Sequence, residues 1–205
     1  MGDIRIYDSK QKEKVLFEPI EAGKVSMYVC GPTVYDLAHL GHGRSAVAFD
    51  VIRRYLDFKG FEVNFVSNYT DIDDKMIKRA GEEGISVDDL AKRIIPEYEK
   101  DYSALVVKAP TAQLKATDYI DEMIEVIRKL EDGEFTYVLD DGVYFDVEKF
   151  SRYGELSGQK LEDLKMGARI EVKDDKRNPY YFVLWKFRKE GEPFWQSPWG
   201  DGRPG

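Results

Sequence analysis

The chain is poor in the residues that most often hold metals. It has one cysteine, Cys30, and two histidines, His39 and His42, among 205 residues. A lone cysteine excludes a disulfide within the chain, which fits a reducing compartment. A single thiol does not make a zinc site either: zinc takes four ligands, a catalytic site at least about three from protein, and with both histidines assigned to phosphate only carboxylates are left to complete the set. Long apolar runs are missing, and nothing approaches the roughly 20 residues of a membrane span. The opening Met1-Gly2-Asp3-Ile4-Arg5 lacks the apolar core of a signal peptide. Ile6 stands where an N-myristoylation motif has Ser or Thr. These absences predict a cytoplasmic protein with no membrane partner. Repeats and low-complexity tracts are absent. Positive charge is in deficit, with 31 Lys and Arg against 39 Asp and Glu, a net charge of −8. A nucleic acid would therefore need a local basic surface, since the overall field repels it.

What is present is a folding composition, 42% hydrophobic and 13% aromatic. The length suits one sizeable core and a smaller module. Residues 24–30 read as a strand, which Gly31-Pro32-Thr33 ends. The period turns helical over 40–59, with Phe49, Ile52 and Leu56 on one face, and Gly60 is placed as the stop. Residues 61–67 read as a second strand. Strand, helix, strand predicts a βαβ unit with parallel strands and a right-handed crossover. The expected architecture is an α/β parallel sheet of the doubly wound, Rossmann-like kind. Its ligand would sit at the strand ends, Cys30 and Asn68-Tyr69-Thr70-Asp71. Helices follow over 74–83, 87–105, bent near Pro96, and 116–130. A hairpin then turns at Asp140-Asp141-Gly142, and loops with basic residues and isolated aromatics occupy the remainder. A second, α+β module is placed at 118–199.

Both histidines fall in His39-Leu40-Gly41-His42, between the first strand and the first long helix. A helix N-terminus favours phosphate through its unpaired N–H groups and dipole. Gly41 would let a base or ribose approach, and two imidazoles three residues apart share one side of a helical turn. The competing reading is one exposed loop histidine and one helix cap. Cys30 is either a small buried hydrophobe or a strand-end ligand. Asp71, Asp73 and Asp74 suit either Mg²⁺ or a helix start. Thr70 points from a strand end toward the predicted crevice. Late in the chain Lys173, Lys176, Arg177, Lys186, Arg188 and Lys189 interleave with Tyr180, Tyr181, Phe182, Trp185, Phe187 and Trp195. That pattern suits either nucleic acid or a solvated face over an aromatic core.

Tyr28-Val29-Cys30-Gly31-Pro32-Thr33-Val34-Tyr35-Asp36, leading to His39-Leu40-Gly41-His42, resembles the class I aminoacyl-tRNA synthetase signature in its cysteinyl form. Asn68-Tyr69-Thr70-Asp71-Ile72-Asp73-Asp74-Lys75 is similar to the next block of that family. So are Asp174-Asp175-Lys176-Arg177-Asn178-Pro179 with Phe182-Val183-Leu184-Trp185-Lys186, and the closing Gly202-Arg203-Pro204-Gly205. The resemblance runs in order along essentially the whole chain. It implies cysteine and ATP giving cysteinyl-adenylate, then transfer to tRNA(Cys). Gly31, Pro32, Thr33, His39, Gly41, His42 and Thr70 match its nucleotide- and amino-acid-binding positions, with His39 and His42 catalytic. Cys30 matches a ligand of a catalytic Zn²⁺ that binds the substrate thiolate, and ATP would arrive with Mg²⁺. Residues 1–117 match the first half of the nucleotide-binding domain, 118–199 its connective insertion, and 200–205 the start of the second half.

The family's remaining zinc ligands and its Lys-Met-Ser-Lys-Ser loop have no counterpart in these residues. The expectation is an N-terminal portion, inactive alone, whose partners include L-cysteine, ATP, tRNA(Cys) and a C-terminal half. Two alternatives stand beside it. One is a non-catalytic or split-subunit fragment that binds ATP or tRNA. The other is a related ligase that passes cysteine to an amino sugar, against which the 174–186 block argues.

Overall fold

The computed structural model describes residues 3–158 and 182–205. The chain divides into two units, one spanning residues 18–119 and the other combining 3–17 with 120–205. The second unit thus includes an antiparallel hairpin near the N-terminus, β1 (Arg5–Asp8) and β2 (Glu13–Leu16), with Arg5 opposite Leu16.

The first unit runs β3 (Lys24–Val29), α1 (Leu40–Phe58), β4 (Glu62–Tyr69), α2 (Asp74–Glu83), α3 (Val87–Ala104), β5 (Ala112–Lys115). Its sheet order is β3-β4-β5, and both pairings are parallel. The βαβ expectation holds, with Lys24 opposite Glu62 and Val29 opposite Ser67. The sequence reading did not find β5, whose Ala-Gln-Leu-Lys is short and has no β-branched residue. Thr111 sets its register: its N–H donates to the Phe65 carbonyl at 2.7 Å, and the Phe65 N–H donates to its Oγ1 at 3.1 Å. The core beside the sheet is built from Val34, Tyr69, Met76, Leu90, Ile94 and Tyr98. Asp73 caps α2 by accepting from the Met76 N–H at 2.9 Å, and Ser86 caps α3 from Asp89 at 3.0 Å. The α3 helix continues through Pro96.

The inward face of α1 differs from the periodicity. Asp50, Arg53 and Leu56 are buried, whereas Ile52 is 42% exposed. The cause is the segment between α3 and β5, which runs beside α1 without a ladder of its own. Its backbone groups must find partners elsewhere, and α1 side chains supply them. Arg53 Nη1 donates to the Ala109 carbonyl at 2.6 Å and Arg54 Nη2 to that of Val106 at 2.8 Å. The Lys108 N–H donates to Asp50 Oδ1 at 3.0 Å, while Asp50 Oδ2 accepts from Arg54 Nε at 2.6 Å. Such polar inward positions are invisible to a hydrophobic count. On its outer side α1 carries an exposed apolar stripe of Leu40, Val47, Val51, Tyr55 and Phe58.

A close approach fixes where β3 ends. A Cβ on Gly31 would lie 1.6 Å from the Asn68 carbonyl oxygen. Only glycine lets the two chains meet there.

In the second unit α4 (Ile120–Asp132) precedes β6 (Thr136–Leu139), β7 (Gly142–Phe145), β8 (Phe182–Phe187) and β9 (Gly202–Pro204), an antiparallel sheet in that order. Ile120, Ile124 and Ile127 of α4 pack on Val143 and Trp185. The β6–β7 hairpin matches the sequence expectation, whereas β8 and β9 form strands where that expectation has loops. Trp185 and Phe187 belong to a strand, and Trp185 is fully buried. It is a core residue rather than a stacking platform for bases. Lys173, Lys176, Arg177, Tyr180 and Tyr181 lie outside the described residues, as does the 174–179 block. Among the described residues no helix is long and apolar enough to cross a membrane.

Two pairs of substitutions test this packing by chemical denaturation. Asp50→Ala removes acceptors from a part-buried backbone N–H and a guanidinium and should cost about 2 kcal/mol. Asp57→Ala, which loses only a half-exposed pair with Lys108 Nζ at 3.0 Å, should cost under about 1 kcal/mol. Gly31→Ala should cost about 3 kcal/mol or more, because backbone must move. Gly81→Ala, whose Cβ would meet nothing within 4 Å inside α2, should stabilise by roughly 0.5 kcal/mol.

Candidate active site

The end of β3 and the end of β4 meet in a short polar lattice. The Asn68 carboxamide oxygen accepts from the Gly31 N–H and the Tyr28 hydroxyl, each at 2.9 Å. Its Nδ2 donates to Thr70 Oγ1 at 3.3 Å. Beyond the strands proper the parallel pairing continues, with Thr33 opposite Thr70. The Thr70 N–H donates to the Pro32 carbonyl at 3.0 Å and the Val34 N–H to the Thr70 carbonyl at 3.2 Å. Gly31, Pro32, Thr33 and Thr70, four of the residues expected at the site, are thus brought together. Val34 anchors the loop that follows, its side chain fully buried.

Cys30 is exposed and its thiol is free. It lies beside Tyr28, whose hydroxyl is raised in pKa by burial first and by the Cys30 neighbour second. Among the described residues no three of His, Cys, Asp or Glu converge to hold a metal. Cys30 alone does not fit a zinc ion, which needs further donors. The acidic run is also used structurally. Asp73 caps α2, and Asp71, 4% exposed, accepts from the Thr117 hydroxyl at 2.6 Å and the Thr117 N–H at 3.0 Å.

His39 is the N-cap of α1. Its Nδ1 accepts from the Gly41 N–H at 3.0 Å, while the His39 N–H donates back to His42 Nδ1 at 3.2 Å. The two histidines form a reciprocal capping box, with rings stacked at 4.0 Å between centroids. The His42 and Gly43 N–H groups turn to the His39 carbonyl, at 2.9 and 3.3 Å. The helix end therefore offers its dipole and two imidazole edges, rather than the bare backbone donors that the sequence position suggested. Gly41 is explained from within, since a Cβ there would lie 2.8 Å from the His39 ring. The first turn has no acidic residue, so nothing offsets the positive dipole end for an anion.

Cys30, Gly31, Pro32 and His42 border one cavity of about 250 Å³, together with Ser67, Tyr69 and Tyr102. Strand end and helix start thus face a common space, whereas Thr33, His39, Gly41 and Thr70 lie outside its lining. Burial first, then the neighbouring His39, holds the pKa of His42 below the usual imidazole value. Two contributors escaped the sequence reading. Asn68 was visible as a strand-end polar residue but not as the bridge between strands. Tyr98, on α3, carried no local signal because its neighbour His42 is 56 residues away.

Comparison with known proteins gives the family and the fold. Residues 16–205 match the family described as tRNA synthetases class I (C) catalytic domain. A Pyrococcus furiosus protein named cysteine–tRNA ligase is 53% identical over 202 residues, which is 98% of this chain and 42% of the relative. Its namesakes from Clostridioides difficile, 52% identical over 98% of this chain and 43% of the relative, and Shewanella amazonensis, 53% identical over 98% and 44%, agree. The chain thus spans under half the length of the curated relatives it matches. Two solved structures share the fold. Mycobacterium tuberculosis methionyl-tRNA synthetase in complex with methionyl-adenylate has a TM-score of 0.53 at 19% identity, over 56% of this chain and 23% of its own. An Agrobacterium radiobacter LeuRS, in a ternary complex with tRNA and LeuAMS, has a TM-score of 0.52 at 18% identity, over 61% and 16%. On the match over residues 16–205, this chain belongs to the class I (C) tRNA synthetase catalytic-domain family.

Proposed function

We propose that the chain supplies the ATP-facing part of the active site of a cysteine–tRNA ligase. The observation that carries this reading is the shared cavity, on which an exposed strand-end thiol and a helix-capping imidazole converge. In the proposed reaction a cysteine carboxylate attacks the α-phosphorus of ATP, arriving with Mg²⁺, and pyrophosphate leaves. Transfer of the cysteinyl group to tRNA(Cys) follows. His39 and His42 present N–H edges to phosphate oxygens as charge builds on them, and the α1 dipole acts in the same sense. Gly31 and Pro32 border the cavity, while Thr33 and Thr70 pair the strand ends that carry them. Gly41 leaves room for the His39 ring and so sets the imidazole that faces phosphate.

Cys30 is the soft donor that a zinc ion would use. The other ligands are not among the residues described, so no step here runs through the metal. The extra length of the relatives is where further ligands and the opposing face of the nucleotide site would come from. The exposed stripe on α1 favours a second reading, a module that binds nucleotide or tRNA and works only against another polypeptide. Both readings place the protein in the cytoplasm.

Cysteine-dependent exchange of pyrophosphate into ATP tests the proposal. The 205-residue chain should give none, and a chimera carrying the remaining residues of the Pyrococcus furiosus relative should give it. Exchange by the chain alone contradicts its role as a part. A folded chimera that exchanges nothing with cysteine contradicts the ligase reading. In an active chimera, His42→Ala should lower the exchange rate about 100-fold with little change in the KM for cysteine. An unchanged rate would remove His42 from the chemistry.

A further inference from the structure

We infer that Tyr98 is a positioning residue for the nucleotide site, fixing His42 as a neutral imidazole whose outward nitrogen is Nε2–H. The inference rests on the proposed role of His42 toward phosphate and adds a residue from another element to it.

The capping box fixes the tautomer of His42. A backbone N–H can only donate. Because the His39 N–H points at His42 Nδ1 at 3.2 Å, that nitrogen must carry a lone pair. The proton of neutral His42 therefore sits on Nε2. The Tyr98 hydroxyl lies 3.5 Å from the same Nδ1. With Nδ1 an acceptor, the hydroxyl is the donor. Tyr98 is 1% exposed, and a buried hydroxyl needs a partner. The distance is long for a hydrogen bond, as such contacts often are before a substrate is bound. Ring packing supplies the remaining restraint: the Tyr98 ring meets His42 edge-on at 5.4 Å and 66°. Tyr98 is itself wedged among Tyr69, at 6.4 Å, and Tyr102, at 5.9 Å. It also belongs to the main core cluster.

Two donors on one nitrogen oppose its protonation, since His42⁺ would carry a proton on Nδ1 facing both. The other titratable or charged groups beside His42 or lining its cavity are His39 at the start of α1, Asp50 and Arg53 further along it, Tyr69 on β4, Tyr102 on α3, Lys108 after α3 and Cys30 at the end of β3. None of these donates to His42 Nδ1. Burial, with Tyr102, Tyr35, Asp36 and Asp101 adding to it, pushes the Tyr98 hydroxyl up to about 12. It therefore stays protonated, and a donor, throughout the range in which histidine titrates. A neutral Nε2–H donor can approach a phosphate oxygen at neutral pH without shedding a proton first.

The chain has two histidines, so imidazole ¹⁵N spectra of the intact chain report each one separately. In the unsubstituted protein His42 should show a protonated Nε2 and an unprotonated Nδ1. In Tyr98→Phe, which keeps the ring and loses the donor, its titration midpoint should move upward, and Mg·ATP affinity should fall about threefold to tenfold. Tyr102→Phe, which removes a hydroxyl from the same cluster but not from His42, should leave the midpoint unmoved. An Nδ1–H tautomer in the unsubstituted chain overturns the inference. So does an unmoved midpoint in Tyr98→Phe, or an equal shift in both variants. If the unsubstituted chain binds no Mg·ATP, the nucleotide reading fails, while the imidazole spectra still decide the role of Tyr98.

Discussion

Much of the first unit depends on the Asn68 carboxamide spanning the gap between two strand ends. One oxygen takes the Gly31 N–H and the Tyr28 hydroxyl, and the nitrogen reaches Thr70. A parallel pair normally loses its partners where the chains diverge, and unpaired buried backbone groups are costly. Here the pairing is carried on by Pro32, Thr33 and Thr70, and the chain leaves the sheet at a fixed place. Gly31 is the condition for this, because any side chain would collide with Asn68. The loop to α1 is therefore held at its start by Asn68 and at Val34 by the core. The histidines that begin α1 inherit a defined position relative to Cys30.

In the proposed site the histidine pair would serve two purposes with different atoms. Nδ1 of each ring caps the helix, and Nε2 of each is left over. The choice between a structural cap and a phosphate grip, open from sequence, does not have to be made. Capping is what orients the imidazoles and settles which nitrogen carries the proton. On the other flank of α1, Asp50, Arg53 and Arg54 bind the segment that returns from α3. Both ends of that helix are thus tied to the element that carries Tyr98 or to the segment that follows it.

How much was legible in the sequence follows from which interactions are local. The βαβ unit was readable because its hydrophobic period and its stops at Gly31-Pro32 and Gly60 lie within about one element of each other. The α2 range was readable from its acidic start. The inward face of α1 was not, because Asp50 and Arg53 are buried by backbone groups more than fifty residues away. Strand β5 was missed because its pairing is set by Thr111 and Phe65 rather than by its own composition. Trp185 read as an isolated aromatic because its partners, the isoleucines of α4 and Val143, lie about forty to sixty-five residues upstream. At the site, Cys30, Gly31, His39, His42 and Thr70 were all visible as residue types at strand and helix ends. Asn68 was visible there too, but not as their linker, and Tyr98 had no local pattern to betray it.

The central claim is that strand end and helix start form one nucleotide-facing surface. Backbone and imidazole NMR of the ¹⁵N-labelled chain during addition of Mg·ATP tests this most directly. The account predicts saturable shifts concentrated at Gly31, Gly41, His42 and Gly43 and at the two Nε2 nitrogens, with the second unit undisturbed. Shifts confined to the second unit, or none at millimolar nucleotide in a folded chain, would contradict it.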